Sequence, residues 1–191
     1  DVRRNALSDF TNVRANGKIA MDLPDNVALV NARIATQDDD VMLVTKSGRA
    51  IRFSTNAVRV FKGRKSTGVR GVRLTGDDCV VSMSILRHFE ASSDERAAYL
   101  KMRRAVAGMV DDEGAGTEDE EVSANATISP ERYAEMSAAE NLILTISSRG
   151  SGKLSSSHDY PVRGRGGMGV AAIDKAMRGG DLVASFPVDL E

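Results

Sequence analysis

Short apolar runs separated by glycine turns recur along most of the chain. Residues 40–53 (DVMLVTKSGRAIRF) combine an apolar run, a Lys-Ser-Gly turn and a second run, which predicts a β-hairpin. Residues 142–155 (LILTISSRGSGKLS) repeat this pattern, with Gly150 at the position of Gly48. Residues 2–10 (VRRNALSDF) match the second half of such a hairpin. The length and punctuation of these runs favour strands over helices.

A second pattern follows each of these segments. Residues 12–23, 64–74 and 162–173 each contain basic and small residues, a glycine and an alternating run. The glycines at equivalent positions are Gly17, Gly68 and Gly169, separated by 51 and then 101 residues. Further apolar strands are predicted at 24–34, 76–86 and 179–190. We call residues 2–34, 40–86 and 142–190 the first, second and third units. About four short strands per unit is typical of a propeller blade, which must stack on its neighbours.

Residues 89–140 interrupt the repeat and account for the doubled spacing. Residues 91–110 carry helix formers after a Ser-Ser-Asp start, and residues 129–142 predict a second helix with Ser129 as N-cap and Pro130 at its first position. Residues 111–126 between them are acidic and nearly free of apolar side chains, so we expect disorder there. The predicted organisation is therefore β repeats at 1–88, an acidic helical and disordered insertion at 89–140, and a further β repeat at 141–191. The fold class is an all-β, propeller-like stack of four-stranded blades.

The amino-acid composition limits which disulfides and metal sites the chain can contain. The 191 residues suffice for one sizeable domain or for one domain with an insertion, and aromatic residues make up only 4%. The single cysteine, Cys79, excludes an internal disulfide and a cysteine-rich zinc site, and we expect it to be buried on a strand. Only two histidines are present, which argues against a histidine-based metal site. We find no membrane span or signal peptide, and a chain that begins with Asp1 is expected to be a piece of a longer protein.

Charge is divided unequally between the repeats and the insertion. The whole chain has a formal net charge of −1, but residues 89–140 hold 13 acidic and 5 basic residues, a net charge of −8. The repeats therefore carry +7. A basic domain with an acidic insertion indicates a polyanionic partner for the repeats. The insertion itself could be an inert surface loop, a competitor for the basic surface or a protein-binding element.

The cations cluster beside the glycine turns, where the backbone could approach phosphate groups closely. DNA wrapping requires many phosphate contacts and few contacts to the bases. A group of Lys and Arg residues repeated beside each glycine turn is suited to that task. The alternative is that these cations are ordinary solvated surface charges or form ion pairs between blades. The candidate phosphate contacts are Arg3, Arg4, Arg14, Lys18, Lys46, Arg49, Arg52, Lys62, Arg64, Lys65, Arg70, Arg149, Lys153, Arg163 and Arg165.

Other motifs have simpler explanations. The acidic pairs and triplets at 38–40 and 77–78 fall in predicted turns, where aspartate is expected without a metal. The GRGGMG segment at 164–169 lacks the Lys-Ser/Thr and the helix of a nucleotide-binding loop. Tyr99, Tyr133 and Tyr160 are interpreted as structural residues. No catalytic constellation can be assembled from the sequence.

The segments VMLVTKSGRAIRF, STGVRGVRL and GDDCVVSMSIL, with VRRNALSDFTNVRANGKIAMDL before them, resemble the C-terminal domain of the DNA gyrase A protein. The resemblance covers residues 1–87 and 141–191. It implies a β-pinwheel that wraps double-stranded DNA and supports ATP-dependent negative supercoiling by a bacterial cytoplasmic type II topoisomerase. It also implies that the gyrase B protein and a second A protein are partners, with ATP and Mg²⁺ used only in the complete enzyme and no cofactor or membrane contact in this segment. The family's basic box, a Gln-Arg-Arg-Gly-Gly-type sequence, is absent here.

Two alternatives remain open from the sequence. The C-terminal domain of the topoisomerase IV A protein resembles the chain less closely, and a propeller-type protein-interaction scaffold would use the charge only for solubility. Exposed strand edges on an open stack of blades also leave self-association open.

Overall fold

Two antiparallel sheets form most of the regular structure. The computed structural model describes residues 1–63, 65–108, 126–174 and 179–189. The first sheet contains β1 (Asp39–Thr45), β2 (Arg49–Ser54), β3 (Val80–Arg87) and β6 (Val170–Ala171), in the order β3-β1-β2-β6. The second contains β4 (Leu142–Ser147), β5 (Gly152–Ser156) and β7 (Leu182–Val188), in the order β5-β4-β7. Helices α1 (Ser93–Val106) and α2 (Pro130–Ala139) lie between β3 and β4 in the chain.

Both predicted hairpins are present. β1 pairs with β2 and β4 pairs with β5, and the two hairpins have the same register. Gly48 and Gly150 occupy their turns with φ of 90° and 82°, the left-handed region that glycine adopts at little cost. β3 then pairs with β1, and β7 pairs with β4. The all-β prediction for the repeats is confirmed, and the second and third units share one architecture.

The fourth strand of the first sheet comes from the next unit. β6 belongs to the third unit, yet it pairs with β2 through Ala50↔Val170 and Arg49↔Ala171. The same exchange joins the first two units, where Val2 and Val69 form an antiparallel bridge with hydrogen bonds of 2.8 and 2.9 Å. The prediction of four strands within each unit is therefore corrected, because one strand position is filled by the following unit.

Glycines make this exchange possible. A Cβ at Gly68 would lie 2.2 Å from the carbonyl oxygen of Val2, and one at Gly169 would lie 2.2 Å from that of Ala50. Both glycines also have positive φ, 99° and 73°. The sequence pattern predicted that these glycines face phosphate groups, but they pack against the strand of the preceding unit. Their regular spacing along the chain reflects strand exchange.

Two hydrophobic clusters lie on the two faces of β1. Val41 and Leu43 join a cluster with Phe53 that also contacts Val2 and Val69 at the junction with the first unit. Met42 and Val44 join the cluster between the second and third units. All four β1 side chains are buried, so the continuous apolar run of β1 reflects a strand covered on both faces. β4, in contrast, has alternating burial, consistent with a strand covered fully on one face only.

Two expectations for this region are wrong. No strand forms at residues 24–34, and Leu29, Val30 and Ile34 are exposed. The equivalent strands β3 and β7 each pair with the first hairpin strand of their unit, and the described part of the first unit contains no such strand. An isolated segment has no backbone partner, so it stays irregular. Cys79 is exposed rather than buried, since it lies in the turn and β3 begins one residue later.

The insertion contains both predicted helices. Ser92 and Glu95 form a capping box at the start of α1, and Ser129 caps α2 with Pro130 at its first position, as predicted. Tyr99 on α1 packs against Tyr133 on α2, with ring centroids 5.0 Å apart, and against His158 of the third unit. The helices are therefore docked on the repeats. The predicted disorder at 111–126 falls almost entirely outside the described residues, and the division into segments at 88/89 and 140/141 stays a prediction.

Candidate nucleic-acid interface

Two loops that follow the hairpins bring cations together. We define the basic loop surface as residues 59–73 of the second unit and 162–169 of the third. Each loop begins after a short 3₁₀ turn, Thr55–Ala57 and Ser157–Asp159 respectively, and runs towards its exchange strand. The described cations of this surface are Arg59, Lys62, Lys65, Arg70, Arg73, Arg163 and Arg165; all are exposed except Arg163, which is half-buried.

The two loops are held side by side by backbone hydrogen bonds. The amide of Arg73 donates to the carbonyl of Gly167 at 2.8 Å, and the amide of Gly166 donates to the carbonyl of Gly71 at 2.6 Å. Strand exchange thus places the cations of adjacent units next to one another. A rigid arrangement of this kind presents charge without ordering the backbone at the moment of binding.

The charge of this surface has one sign along the chain. Residues 58–76 contain six Lys or Arg and no Asp or Glu, and residues 160–173 contain two Arg and no Asp or Glu. Clustered cations attract a polyanion over about 10 Å at moderate salt. The basic loop surface therefore has the electrostatic character required for binding phosphates.

The Arg165 side chain bonds to two backbone carbonyls and is also exposed to solvent. Its Nε donates to the carbonyl of Ala57 and its guanidinium also donates to the carbonyl of Arg70, both at 2.9 Å. The side chain nevertheless remains exposed. A guanidinium fixed in this way keeps further N–H groups available for a phosphate oxygen.

A second group of predicted cations lies at the hairpin turns and on β5. Lys46, Arg49, Arg149 and Lys153 are all exposed. Lys46 lies 3.4 Å from Asp181 of the third unit, an ion pair between units of the kind that the sequence left open. Asp78 also lies at this end, accepting hydrogen bonds from the amide and hydroxyl of Ser47. This region mixes both signs of charge, so it is a weaker candidate for phosphate binding than the basic loop surface.

Arg52 is not available to DNA in this structure, and its prediction as a phosphate contact is wrong. The side chain is only 3% exposed, and its Nε donates to Asp40 Oδ2 at 2.8 Å. The guanidinium also donates to the carbonyls of Ser157 and Arg87, each at 2.8 Å. Burial lowers the pKa of the Arg52 guanidinium, and the neighbouring Asp40 opposes that effect. Arg52 joins the second unit to the 3₁₀ turn of the third.

Arg4 makes the equivalent contact one unit earlier. Its guanidinium donates to the carbonyl of Thr55 at 3.0 Å, and Thr55 begins the 3₁₀ turn of the second unit as Ser157 begins that of the third. The backbones of Arg4 and Arg52 also form equivalent parallel bridges, to Val60 and Val162. We call these two interactions the inter-unit arginine contacts. Their recurrence explains the arginines at these positions without DNA.

The remaining candidate phosphate contacts differ in their exposure. Arg3 is half-buried, donates to the carbonyl of Ser66 at 2.7 Å and lies over the Phe61 ring. Lys18 is also half-buried and donates to the carbonyl of Asp9. Arg14 is exposed. Arg64 lies outside the described residues.

Two exposed cations of the basic loop surface were not among the predicted contacts. Arg59 lies over the Phe61 ring, 4.0 Å from its centroid, and Arg73 lies beside Gly167 through its backbone. The absence of acidic residues from 58 to 76 was the available signal, because that range includes both.

The other chemical groups of interest are engaged in packing. Tyr99 and Tyr160 are buried, which raises the pKa of each phenol to about 12. Asp40 is shared between Arg52 and His88, whose Nδ1 lies 2.7 Å from Asp40 Oδ1. Within the described ranges, no three His, Cys, Asp or Glu side chains are grouped to hold a metal ion, and no helix there is long and apolar enough to cross a membrane.

These features define a β-sheet repeat domain whose units exchange strands and share a basic loop surface. Comparison with known proteins identifies the family. The family model described as "DNA gyrase C-terminal domain, beta-propeller" matches residues 2–36, 39–87 and 141–186. The chain belongs to this family. The three matched segments correspond to the three units, and residues 88–140 lie between the second and third matches.

Curated relatives agree with this assignment. The chain is 48% identical over 198 residues to the DNA gyrase A protein of Granulibacter bethesdensis and 37% identical over 195 residues to that of Rickettsia bellii. These matches cover 98% and 100% of the chain but only 21% of each relative, so the chain spans about a fifth of their length. Among solved structures, the C-terminal domain of DNA topoisomerase IV has a similar fold, with a TM-score of 0.55 at 16% identity over 89% of this chain and 37% of that one.

Proposed function

We propose that this chain is a DNA-binding and DNA-wrapping domain of the kind found in the DNA gyrase A protein. The observation that carries the proposal is the basic loop surface, where strand exchange places cations from two units side by side without an intervening acidic residue in either loop. Membership of the gyrase C-terminal domain family supports it.

Phosphate binding by this surface would be largely independent of base sequence. The loops present Lys and Arg side chains to the DNA backbone, and each neutralised phosphate releases condensed counterions. Stacked sheets keep the cations in a fixed relative arrangement, so bending the DNA along them gains additional phosphate contacts. The resulting wrap would trap writhe in a closed DNA molecule.

The wider assembly follows from the same proposal. The domain would act within a heterotetramer that contains a second gyrase A protein and the gyrase B protein, located with the chromosome in the bacterial cytoplasm. ATP and Mg²⁺ would act in the rest of that enzyme. The chemistry of DNA cleavage and ATP hydrolysis is assigned to none of the described side chains.

Binding to relaxed plasmid across a salt series tests the proposal. We expect affinity to fall steeply with salt, with a slope of about −0.9 per phosphate contacted. Relaxation by a type I topoisomerase in the presence of the chain should then leave a shifted linking number. Salt-dependent binding without that shift would contradict wrapping while leaving DNA binding intact.

A variant of the basic loop surface and a control variant on α1 locate the interface. Replacing Lys62, Lys65 and Arg70 with glutamine removes three exposed cations of the basic loop surface. We expect the salt slope to become shallower by up to about 3. The control is Lys101→Gln, an exposed cation on α1. Equal effects of the triple variant and the control would show that DNA does not use the basic loop surface.

The protein-interaction scaffold is the alternative function from a different class. It predicts weak DNA binding, or none, at moderate salt. It would also leave the triple glutamine variant indistinguishable from the unmodified chain in every DNA assay.

A further inference from the structure

Two exposed arginines from different units lie next to each other on the basic loop surface. The guanidinium of Arg165, in the third unit, donates to the carbonyl of Arg70, in the second, at 2.9 Å. A Cβ on Gly166 would lie 3.8 Å from both Cγ and Cδ of Arg70. The aliphatic part of the Arg70 side chain therefore lies beside the residue that follows Arg165, and both arginine side chains are exposed.

The backbone around this pair is held in place by the protein itself. The amide of Gly166 donates to the carbonyl of Gly71 at 2.6 Å, so the residues that follow the two arginines are also bonded to each other. Gly166 has a φ of 84°, which glycine adopts at little cost. Arg165 Nε also donates to the carbonyl of Ala57, at the end of the 3₁₀ turn of the second unit. These contacts fix the two arginines relative to each other without a ligand.

No acidic residue in either loop compensates these two cations. Residues 58–76 and 160–173 contain no Asp or Glu, and among the described residues no carboxylate forms an ion pair with Arg70 or Arg165. Neighbouring like charges repel each other, and an anion that contacts both removes this repulsion and accepts charge-assisted hydrogen bonds. The backbone carbonyls use two N–H groups of Arg165, and the others remain for such an anion.

The junction between the first and second units has the same backbone contact with different side chains. The amide of Asp22 donates to the carbonyl of Ser66 at 3.2 Å, which is the equivalent of the bond from Arg73 to the third unit. This alignment also places Ile19 at the position of Arg70. A carboxylate and an apolar side chain thus replace two cations. The arginine pair is therefore a property of the junction between the second and third units and does not follow from strand exchange alone.

We propose that Arg70 and Arg165 form one composite site for a phosphate of the DNA backbone. This proposal rests on the DNA-binding function proposed above. The phosphate accepts hydrogen bonds from both guanidinium groups, and Arg165 also positions Arg70 through its carbonyl. Neither unit contains the site alone, so DNA bound there contacts both units at once.

A double-mutant cycle tests whether the two arginines act on one phosphate. Affinity for a short DNA duplex is measured at one fixed salt concentration for Arg70→Gln, Arg165→Gln and the double variant. We expect each single variant to lose about tenfold in affinity. The double variant should lose at most about thirtyfold, because residues that share a ligand are coupled, whereas independent contacts would give about a hundredfold loss.

Two outcomes of this cycle overturn the shared site. One is a loss in the double variant that equals the product of the two single losses. The other is an unchanged affinity in either single variant. Lys101→Gln on α1 is the control, and adding it to Arg165→Gln should cause no further loss.

Arg165→Lys tests the positioning role separately from charge. Lysine keeps the positive charge but lacks the planar guanidinium that donates to two carbonyls in a fixed geometry. We expect DNA affinity to fall by at least about threefold. Without DNA, we expect the amides of Gly166 and Arg73 to exchange hydrogen faster, since their bonds join the two loops. Unchanged affinity would exclude a positioning role, and so would weaker binding without faster exchange.

Failure of the shared site is distinguishable from failure of the DNA-binding function. If the unmodified chain shows no salt-dependent affinity for DNA, both proposals are overturned. If it binds DNA and the two single losses multiply, only the shared site is overturned, and the basic loop surface binds phosphates through independent cations. Circular dichroism and thermal unfolding of each variant establish that it is folded.

Discussion

Replacing Arg52 with methionine removes one of the contacts that join the second unit to the third. Methionine keeps the apolar stem and approximate volume of the side chain but donates no hydrogen bond. Asp40 then stays fully buried with His88 as its remaining partner, and the carbonyls of Ser157 and Arg87 lose a donor. The expected result is a large loss of stability with the fold otherwise unchanged.

The magnitude follows from burial. Arg52 and Asp40 are 3% and 0% exposed, and removing one member of a buried ion pair costs about 3–5 kcal/mol because the other charge is left uncompensated. A domain is typically stable by about 5–15 kcal/mol, so this loss is a substantial part of the total. The same change at half-buried Arg4, whose guanidinium contacts Thr55 and Asn56, should cost only about 1 kcal/mol.

Urea unfolding followed by circular dichroism measures both variants. The double variant Arg52→Met/Asp40→Leu should recover at least about 1 kcal/mol relative to Arg52→Met, since it removes the unpaired carboxylate. An Arg52→Met variant that loses no more stability than Arg4→Met would refute the reasoning. So would a normal stability combined with a shallower salt slope of DNA binding, because that result would return Arg52 to the interface.

Three further predictions follow from other contacts. Gly169→Ala should lower the free energy of unfolding in urea more than Gly17→Ala does. Both glycines have positive φ, which costs about 1–2 kcal/mol for alanine, but only the Cβ at residue 169 would lie 2.2 Å from the Ala50 oxygen. Equal losses of stability would contradict strand exchange. Burial lowers the pKa of His158, so the unfolded chain binds a proton more readily than the folded chain, and stability should fall as the pH drops below about 6.5. His158→Gln should make the stability less dependent on pH in this range. An unchanged pH dependence would assign the effect to another group. The seven Asp and Glu residues of 111–121 can be replaced with Asn and Gln. If the insertion competes with DNA for the basic loop surface, this variant should bind DNA more tightly at low salt. Unchanged affinity for DNA would favour an inert insertion.

Local patterns predicted the local elements. Two hairpins, their glycine turns and the Ser129 cap depend on neighbours within a few residues, so alternation and turn chemistry were sufficient. The continuous apolar run at residues 41–44 was also informative, since it is consistent with a strand covered on both faces, as β1 is. These signals indicated the hairpins and third strands of the second and third units.

Features that depend on another unit were not predictable in the same way. Residues 24–34 have the same pattern as β3, yet a strand requires a partner that the described first unit does not supply. The glycines of the second pattern were recognised as important, but their reason is a carbonyl of the preceding unit. Sequence spacing within one unit contains no information about which unit will supply the neighbouring strand.

The candidate site shows the same division. Exposed cations such as Lys62, Lys65 and Arg70 lie where the basic pattern placed them. Arg52 has the same residue type in a similar context but is buried by the third unit. The sequence shows which residues are charged, but the packing between units determines which of them are exposed.

The insertion starts and ends at one place. The amide of Arg87, at the end of β3, donates to Asn141 Oδ1 just before β4, and its side chain reaches the carbonyl of Ala138. A chain excursion whose two ends touch can lengthen or shorten during evolution while the strands on either side keep their register. The helices themselves are less tolerant of change, because Tyr99 and Met136 both contact His158 of the third unit.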